Sequence, residues 1–201
     1  MKRLLIASNN QGKIREIKEI LADFHVDIVS LHDLGIDIDV PETGSSFQEN
    51  AALKAETLAA RTKLPTLADD SGLSVDALGG EPGIFSARYS GPDKNSQRNI
   101  AKLLKKLTGV PTSRRAAHFI CVIALSIPGK PTRFAEGRCD GVIAEAPRGR
   151  GGFGYDPVFF VPDRKQTFAE IRESEKDKIS HRGRALREFR RRWPEWTGER
   201  L

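Results

Sequence analysis

The chain has 201 residues, 38% of them hydrophobic and 30% charged, with a formal net charge of +6. That length and apolar content suffice for a buried core in a single domain spanning residues 1–201, and no linker-like tract or internal repeat divides it. The longest apolar run, Phe119 to Ile127, is far short of the roughly 20 residues of a membrane helix, and the run after Met1-Lys2-Arg3 is too short for a signal peptide, so a soluble, cytoplasmic protein with no membrane partner is expected.

Arg3 to Ala7 reads as a short buried strand. Ser8-Asn9-Asn10-Gln11-Gly12 is rich in turn formers, and Lys13 opens a helical pattern in which Ile14, Ile17, Leu21 and Phe24 recur every three to four residues. A strand, polar loop and helix start aim free backbone N–H groups and the positive dipole end at the loop, an anion seat with Lys13 beside it. It is no Walker loop, because Ile14 stands where the magnesium-binding hydroxyl would be.

Val26 to Leu31 reads as a second strand and Pro41 to Ser45 as a turn. Ser46 and Glu49 stand in the capping-box relation, and Phe47 to Thr62 is the clearest helix. Glu42, just before it, is open to two readings, a remote cap or a metal ligand. In Leu67-Ala68-Asp69-Asp70-Ser71-Gly72-Leu73 an apolar strand is expected to end in two carboxylates and then turn. Burial disfavours a carboxylate unless a cation or donor compensates, and a divalent metal is the simplest partner. Alternation of faces keeps Asp69 and Asp70 out of one site while the backbone stays extended, so one is expected to be catalytic and the other to support the turn. A solvated turn is the competing reading of the same residues.

A helix is expected over Asn95 to Leu107, a long strand over Ala116 to Ile127, and further antiparallel strands over Thr132 to Glu136 and Gly141 to Glu145. Mixed helices and strands imply an α/β or α+β domain with a mixed sheet. Cys121 and Cys139 lack metal-type spacing and read as unpaired thiols of a reducing compartment. Gly149-Arg150-Gly151-Gly152-Phe153-Gly154 matches GxGxxG formally, but Tyr155-Asp156-Pro157-Val158-Phe159-Phe160 reads as turn and strand, so no dinucleotide fingerprint is assigned. Such a loop lets backbone approach a flat ligand with Phe153 or Tyr155 for stacking, or is an ordinary hairpin.

Lys176, His181 and Arg182 precede a last helix expected over Arg184 to Arg192. Cations at a helix entry oppose its dipole, which hints at a bound anion or an electron-rich base. Residues 178–201 carry eight Lys or Arg against three Glu, so the chain's excess charge sits in its tail. A solvated helix end, a lure for anionic nucleotides and a nucleic-acid patch are the readings of that tail, in that order.

Together, Ser8 to Lys13, Glu42-Thr43-Gly44 with Phe47-x-Glu49-Asn50-Ala51, Asp69-Asp70-Ser71-Gly72-Leu73, Gly151-Gly152-Phe153-Gly154-Tyr155-Asp156-Pro157 and Ser180-His181-Arg182 resemble the inosine/xanthosine triphosphate pyrophosphatases. The resemblance runs from about residue 4 to about residue 190, with Ser8 where many members have Thr. It implies an elongated α/β mixed-sheet domain with two lobes and a central nucleotide-binding cleft, hydrolysis of ITP, dITP or XTP to the monophosphate and pyrophosphate, Mg2+ as cofactor and a homodimer, with no nucleic-acid partner. Carried over by position, it implies Asp70 as general base near magnesium and Glu42 as metal ligand. Ser8, Asn9, Asn10, Gln11, Gly12 and Lys13 would hold the triphosphate with help from Ser71, and Phe153, Gly154, Tyr155, Asp156, Lys176, His181 and Arg182 would enclose the base. Trp193 to Leu201 matches no motif of that family.

Overall fold

Strand β1 (Arg3–Ile6) is buried from Leu4 onward, as a strand with neighbours on both sides requires, and it pairs in parallel with β2 (Asp27–Ser30) and β3 (Thr66–Val75). The computed structural model describes residues 3–199, so the expectations resting on Met1-Lys2 and on the last two residues of the tail lie outside the described residues. Helix α1 (Gln11–Ile20) follows β1, and α2 (Phe47–Thr62) precedes β3. The remaining elements are α3 (Ser96–Lys106), β4 (Ala116–Ser126), β5 (Arg133–Ile143), β6 (Phe159–Val161), β7 (Gln166–Thr167), α4 (Glu173–Ile179) and α5 (His181–Thr197). The strands form a seven-stranded sheet in the order β2-β1-β3-β4-β5-β6-β7, parallel at β1 and antiparallel where β6 meets β5 and β7. This is the mixed α/β sheet expected from the sequence. Among the described residues no helix is long and apolar enough to cross a membrane.

The chain divides into two compact units. The first comprises the chain up to Asp70, Cys121–Gly137 and the segment from Arg182 onward. Its core joins Ile14, Ile17 and Leu21 of α1 to Leu4, Ile6, Leu67 and Ile123 of the strands and to Leu186, Phe189, Trp193 and Trp196 of α5. Phe24 meets Trp193 edge to face with ring centroids 4.7 Å apart, a favoured aromatic geometry. The second unit comprises Ser71–Ile120 and Arg138–His181. In its core, Phe159 lies 4.6 Å from Phe119 and 4.8 Å from Phe168 between ring centroids, alongside Ile100 and Leu103 of α3.

Four elements depart from the sequence expectation. Helix α1 starts at Gln11 rather than Lys13, because Asn10 caps it by accepting the Lys13 backbone N–H at 3.2 Å. Strand β3 does not end at the acidic pair but runs on to Val75. The two short strands expected around residues 132–145 are one strand, β5, which runs through Gly141 to pair with β6; a side chain at Gly141 would meet the Phe159 ring and the Phe160 carbonyl at 2.6 Å. Helix α5 starts at His181 and continues past Arg192 through Pro194, held by buried Trp193 and Trp196. Much of its basic surface is paired within the first unit: Arg190 bridges to Asp23 at 2.7 Å, and Arg191 and Arg192 both engage Glu188.

Candidate active site

The first unit builds its polar site from the α1 start, the approach to α2 and the middle of β3. Ser8 accepts the Asn10 backbone N–H at 3.2 Å, and with Asn10 on the Lys13 N–H, the amides of Gln11 and Gly12 occupy the first turn, where no intrahelical carbonyl can reach them. Lys13 extends from this turn to the Oδ1 of Asp69, with which it forms a close ion pair. One turn further along α1, Glu16 is buried and close-paired with the Nη1 of Arg182 at the α5 start. Arg182 turns its Nε to the Oδ2 of Asp69 at 3.1 Å, and the Cys121 thiol donates to the same oxygen at 3.2 Å. Lys13, Asp69, Arg182 and Glu16 thus alternate in sign around a closed circuit that begins and ends on α1. Burial opposes ionisation of Asp69, but the charges of Arg182, Lys13 and Lys54 outweigh it and hold the carboxyl well below the usual range. Burial and the Asp69 charge push the Cys121 thiol far up, so it stays a neutral donor.

A second arrangement is set by α2. Ser46 caps the helix by accepting the Glu49 N–H at 3.1 Å, and the Glu49 carboxylate reaches back to the Ser45 N–H at 2.7 Å. Buried Asn50 accepts the Gly44 N–H at 2.8 Å, and a Cβ on residue 44 would lie 2.7 Å from that of Glu49, so only glycine lets the incoming segment lie this close. That tether delivers Glu42. Lys54, four residues after Asn50 and on the same helix face, places its Nζ 3.0 Å from Glu42 Oε1, 3.1 Å from Asp70 Oδ1 and 2.7 Å from the Asp69 carbonyl. Burial works against the Lys54 charge, yet Asp70, Glu42 and Asp69 more than offset it and raise its pKa. For Asp70 the balance falls the other way: burial, reinforced by Glu42, raises the carboxyl pKa against the pull of Lys54 and Lys13.

Adjacent carboxylates therefore serve different partners, as alternation along an extended strand demands. The sequence expectation of a turn fails because protein cations, not a metal alone, compensate buried acid in mid-strand. Glu42 and Asp70 still fit a hard divalent ion. Asp70 Oδ2 is buried without a hydrogen-bond partner, and both groups are oxygen donors. Among the described residues no cluster of three or more His, Cys, Asp or Glu could hold a metal, so water or a ligand's oxygens would complete the coordination sphere around this pair.

The glycine loop belongs to the second unit. Asp156 Oδ2 accepts the Phe153 N–H at 2.9 Å and the Lys176 ammonium at 2.8 Å. Gly152, at φ +70°, has that same oxygen 1.9 Å from where a Cβ would be, so the carboxylate closes the loop only over a glycine. Tyr155 is buried and donates its hydroxyl to the Ser86 carbonyl at 2.9 Å, whereas Phe153 is half-buried with the Lys176 ammonium 5.2 Å from its ring centre. Of the two rings considered for stacking, Phe153 keeps more of its surface open. His181 stacks on Phe119 with centroids 4.5 Å apart. Ser71 is half-buried in β3, and Gly154 adopts φ +61° with open space where a side chain would stand.

Residues 4–192 match the Ham1 family over almost the whole of this architecture. The chain belongs to the Ham1 family. It is 56% identical over 198 residues to a dITP/XTP pyrophosphatase of Geobacillus kaustophilus, covering 98% of this chain and 97% of the relative. It is 49% identical over 189 residues to the dITP/XTP pyrophosphatase of Bacillus subtilis, covering 94% and 96%. Among solved structures, a HAM1 protein from Coxiella burnetii superposes with a TM-score of 0.87 at 42% identity, covering 97% of this chain and 100% of that one. The Staphylococcus aureus Ham1 protein gives 0.82 at 47% identity, covering 92% and 95%.

Reading this Ham1 sequence for site residues misses Lys54, Glu16 and the Cys121 contact. Lys54 is hidden in a helix rich in Ala, Leu, Glu and Lys, where a lysine is ordinarily solvated. Its signal is the four-residue step from Asn50. Glu16 is an acid set between the core positions Ile14 and Ile17, and that misplacement in an apolar stripe is the cue.

Proposed function

We propose that this chain hydrolyses deaminated purine nucleoside triphosphates, ITP, dITP and XTP, to the nucleoside monophosphate and pyrophosphate, opening the anhydride between the α- and β-phosphates and so keeping these nucleotides out of DNA and RNA. Membership of the Ham1 family supports the reaction class. The observation that carries the chemistry is Asp70, a buried carboxylate with one unpartnered oxygen beside Glu42 and a raised pKa. A carboxylate whose charge is disfavoured takes a proton more readily, which suits it to deprotonate an attacking water.

Glu42 and Asp70 would hold magnesium, which supplies charge stabilisation on the phosphoryl oxygens when bound. Lys13 and the α1 amides would bind the triphosphate, whose negative charge suits both the ammonium and the helix dipole. Arg182 faces Glu16 and Asp69, and we assign it to fixing Asp69 and through it Lys13, in place of the base contact expected from sequence.

Base selection would fall to Phe153 and Lys176. The ammonium, which donates to Asp156, can offer a base only donors, and the keto oxygen at position 6 of hypoxanthine or xanthine is an acceptor of the matching kind. Adenine presents an amino group there, so donor would face donor, at about 1–3 kcal/mol per mispaired contact. A homodimer in the cytoplasm completes the proposal, and two buried cysteines outside any disulfide accord with a reducing compartment.

Pyrophosphate release measured across ITP, dITP, XTP, ATP and GTP with magnesium tests the reading. The first three should turn over far faster than the last two. Orthophosphate as the first product would overturn it.

A further inference from the structure

The three protons of the Lys54 ammonium have three acceptors: Glu42 Oε1 at 3.0 Å, Asp70 Oδ1 at 3.1 Å and the Asp69 carbonyl at 2.7 Å. Its donor capacity is filled, and the side chain is only 12% exposed. The carboxylates proposed to hold the divalent ion are therefore already gripped by a cation of the protein itself. A divalent ion on the same oxygens would meet a positive charge a few ångströms away, and the pair's net charge is halved by the ammonium before any metal arrives.

From this geometry we propose that Lys54 is the resident counter-cation of the Glu42 and Asp70 pair, and that a divalent ion takes those oxygens only as the ammonium leaves them, which makes metal binding conditional on the nucleotide. The proposal rests on the metal-ligand reading given above. Lysine is suited to the exchange, since its charge sits on a flexible four-carbon stem and is not locked in a planar fork. The triphosphate is the natural trigger, because it brings oxygens that complete the metal's shell and give the displaced ammonium new acceptors. Without it, the unpartnered Asp70 Oδ2 and the displaced Glu42 oxygen are too few to repay the loss of three ammonium hydrogen bonds.

The test is Mn2+ binding to the nucleotide-free full chain, followed by electron paramagnetic resonance of the free ion. Lys54→Gln keeps a neutral donor for the neighbours and should bind Mn2+ at least about tenfold more tightly than the parent chain. Lys54→Met should do the same, and it stands in should the glutamine variant fail to fold. Adding Glu42→Gln to either variant should abolish the gain. Equal affinity in the parent and Lys54 variants would overturn the exclusion by Lys54 while leaving pyrophosphate release, and hence the proposed function, standing. Tighter binding that ignores Glu42→Gln would overturn the placement of the metal itself, and the proposal with it.

Discussion

Asp69 and Asp70 are consecutive residues of one strand whose carboxyl pKa values are displaced in opposite directions: Arg182 and Lys13 lower that of Asp69, and burial with Glu42 raises that of Asp70. One is an anchor of the fold and the other is the group we propose as the proton acceptor. Their substitutions should differ in sign.

Asp69→Asn should destabilise the chain by about 3–5 kcal/mol at pH 7, because it leaves the buried Arg182 and Lys13 charges without their shared partner. The folded pKa lies below the unfolded value of 3.8, so the stabilisation is fully present above that value and fades as pH falls from it toward the depressed one. Urea unfolding at pH 7 and pH 3 should show the gap between parent and variant narrowing in acid.

Asp70→Asn should abolish turnover without loss of stability at pH 7. A carboxyl whose pKa is raised on folding costs the fold its ionisation, a cost that grows as pH climbs past the unfolded value of 3.8, and the amide escapes it while its oxygen still accepts from Lys54. A urea midpoint at or above that of the parent, with activity gone, is the expected pair of results. A variant that is active assigns the proton acceptor elsewhere.

Lys13→Ala should lower kcat/KM for ITP by about a hundredfold or more, the scale of losing one charge aimed at phosphoryl oxygens. Glu16→Gln should lower it less and add nothing in the Lys13→Ala background, since Arg182, Asp69 and Lys13 link Glu16 to the proposed phosphate end. Additive losses in the double variant would disconnect Glu16 from that circuit.

Lys176→Gln should narrow the preference for ITP over ATP by about tenfold to a hundredfold, because an amide can turn either a donor or an acceptor toward position 6. Steady-state kinetics on both nucleotides reads this directly. An unchanged ratio would place base selection elsewhere.

Where structure is encoded locally the sequence was a sound guide. Helix α2 occupies its expected residues because Ser46 and Glu49 fix its start within one turn, and the GxGxxG match fails as expected because strand β6, not a helix, follows the loop. Where partners come from distant segments it was not. Nothing near Asp69 announces Lys13 or Arg182, which lie 56 residues before it and 113 after it, so continuation of the strand through two acids could not be read locally. The cations at the α5 entry pointed to an anion, and for Arg182 buried carboxylates of the protein supply it. The last helix, expected to end at Arg192, runs on through Pro194, where burial of Trp193 and Trp196 outweighs the hydrogen bond lost at a proline near the C-terminus.

Both tryptophans of the chain, Trp193 and Trp196, lie in the first compact unit, and both tyrosines, Tyr89 and Tyr155, lie in the second. Intrinsic emission excited at the red edge therefore watches one half of the molecule alone, while the phenol bands, separated from indole in the second-derivative absorbance spectrum, watch the other. Melting curves recorded at the two wavelengths will superimpose if the halves unfold as one cooperative body and separate if each has its own transition, with no label or engineered probe required.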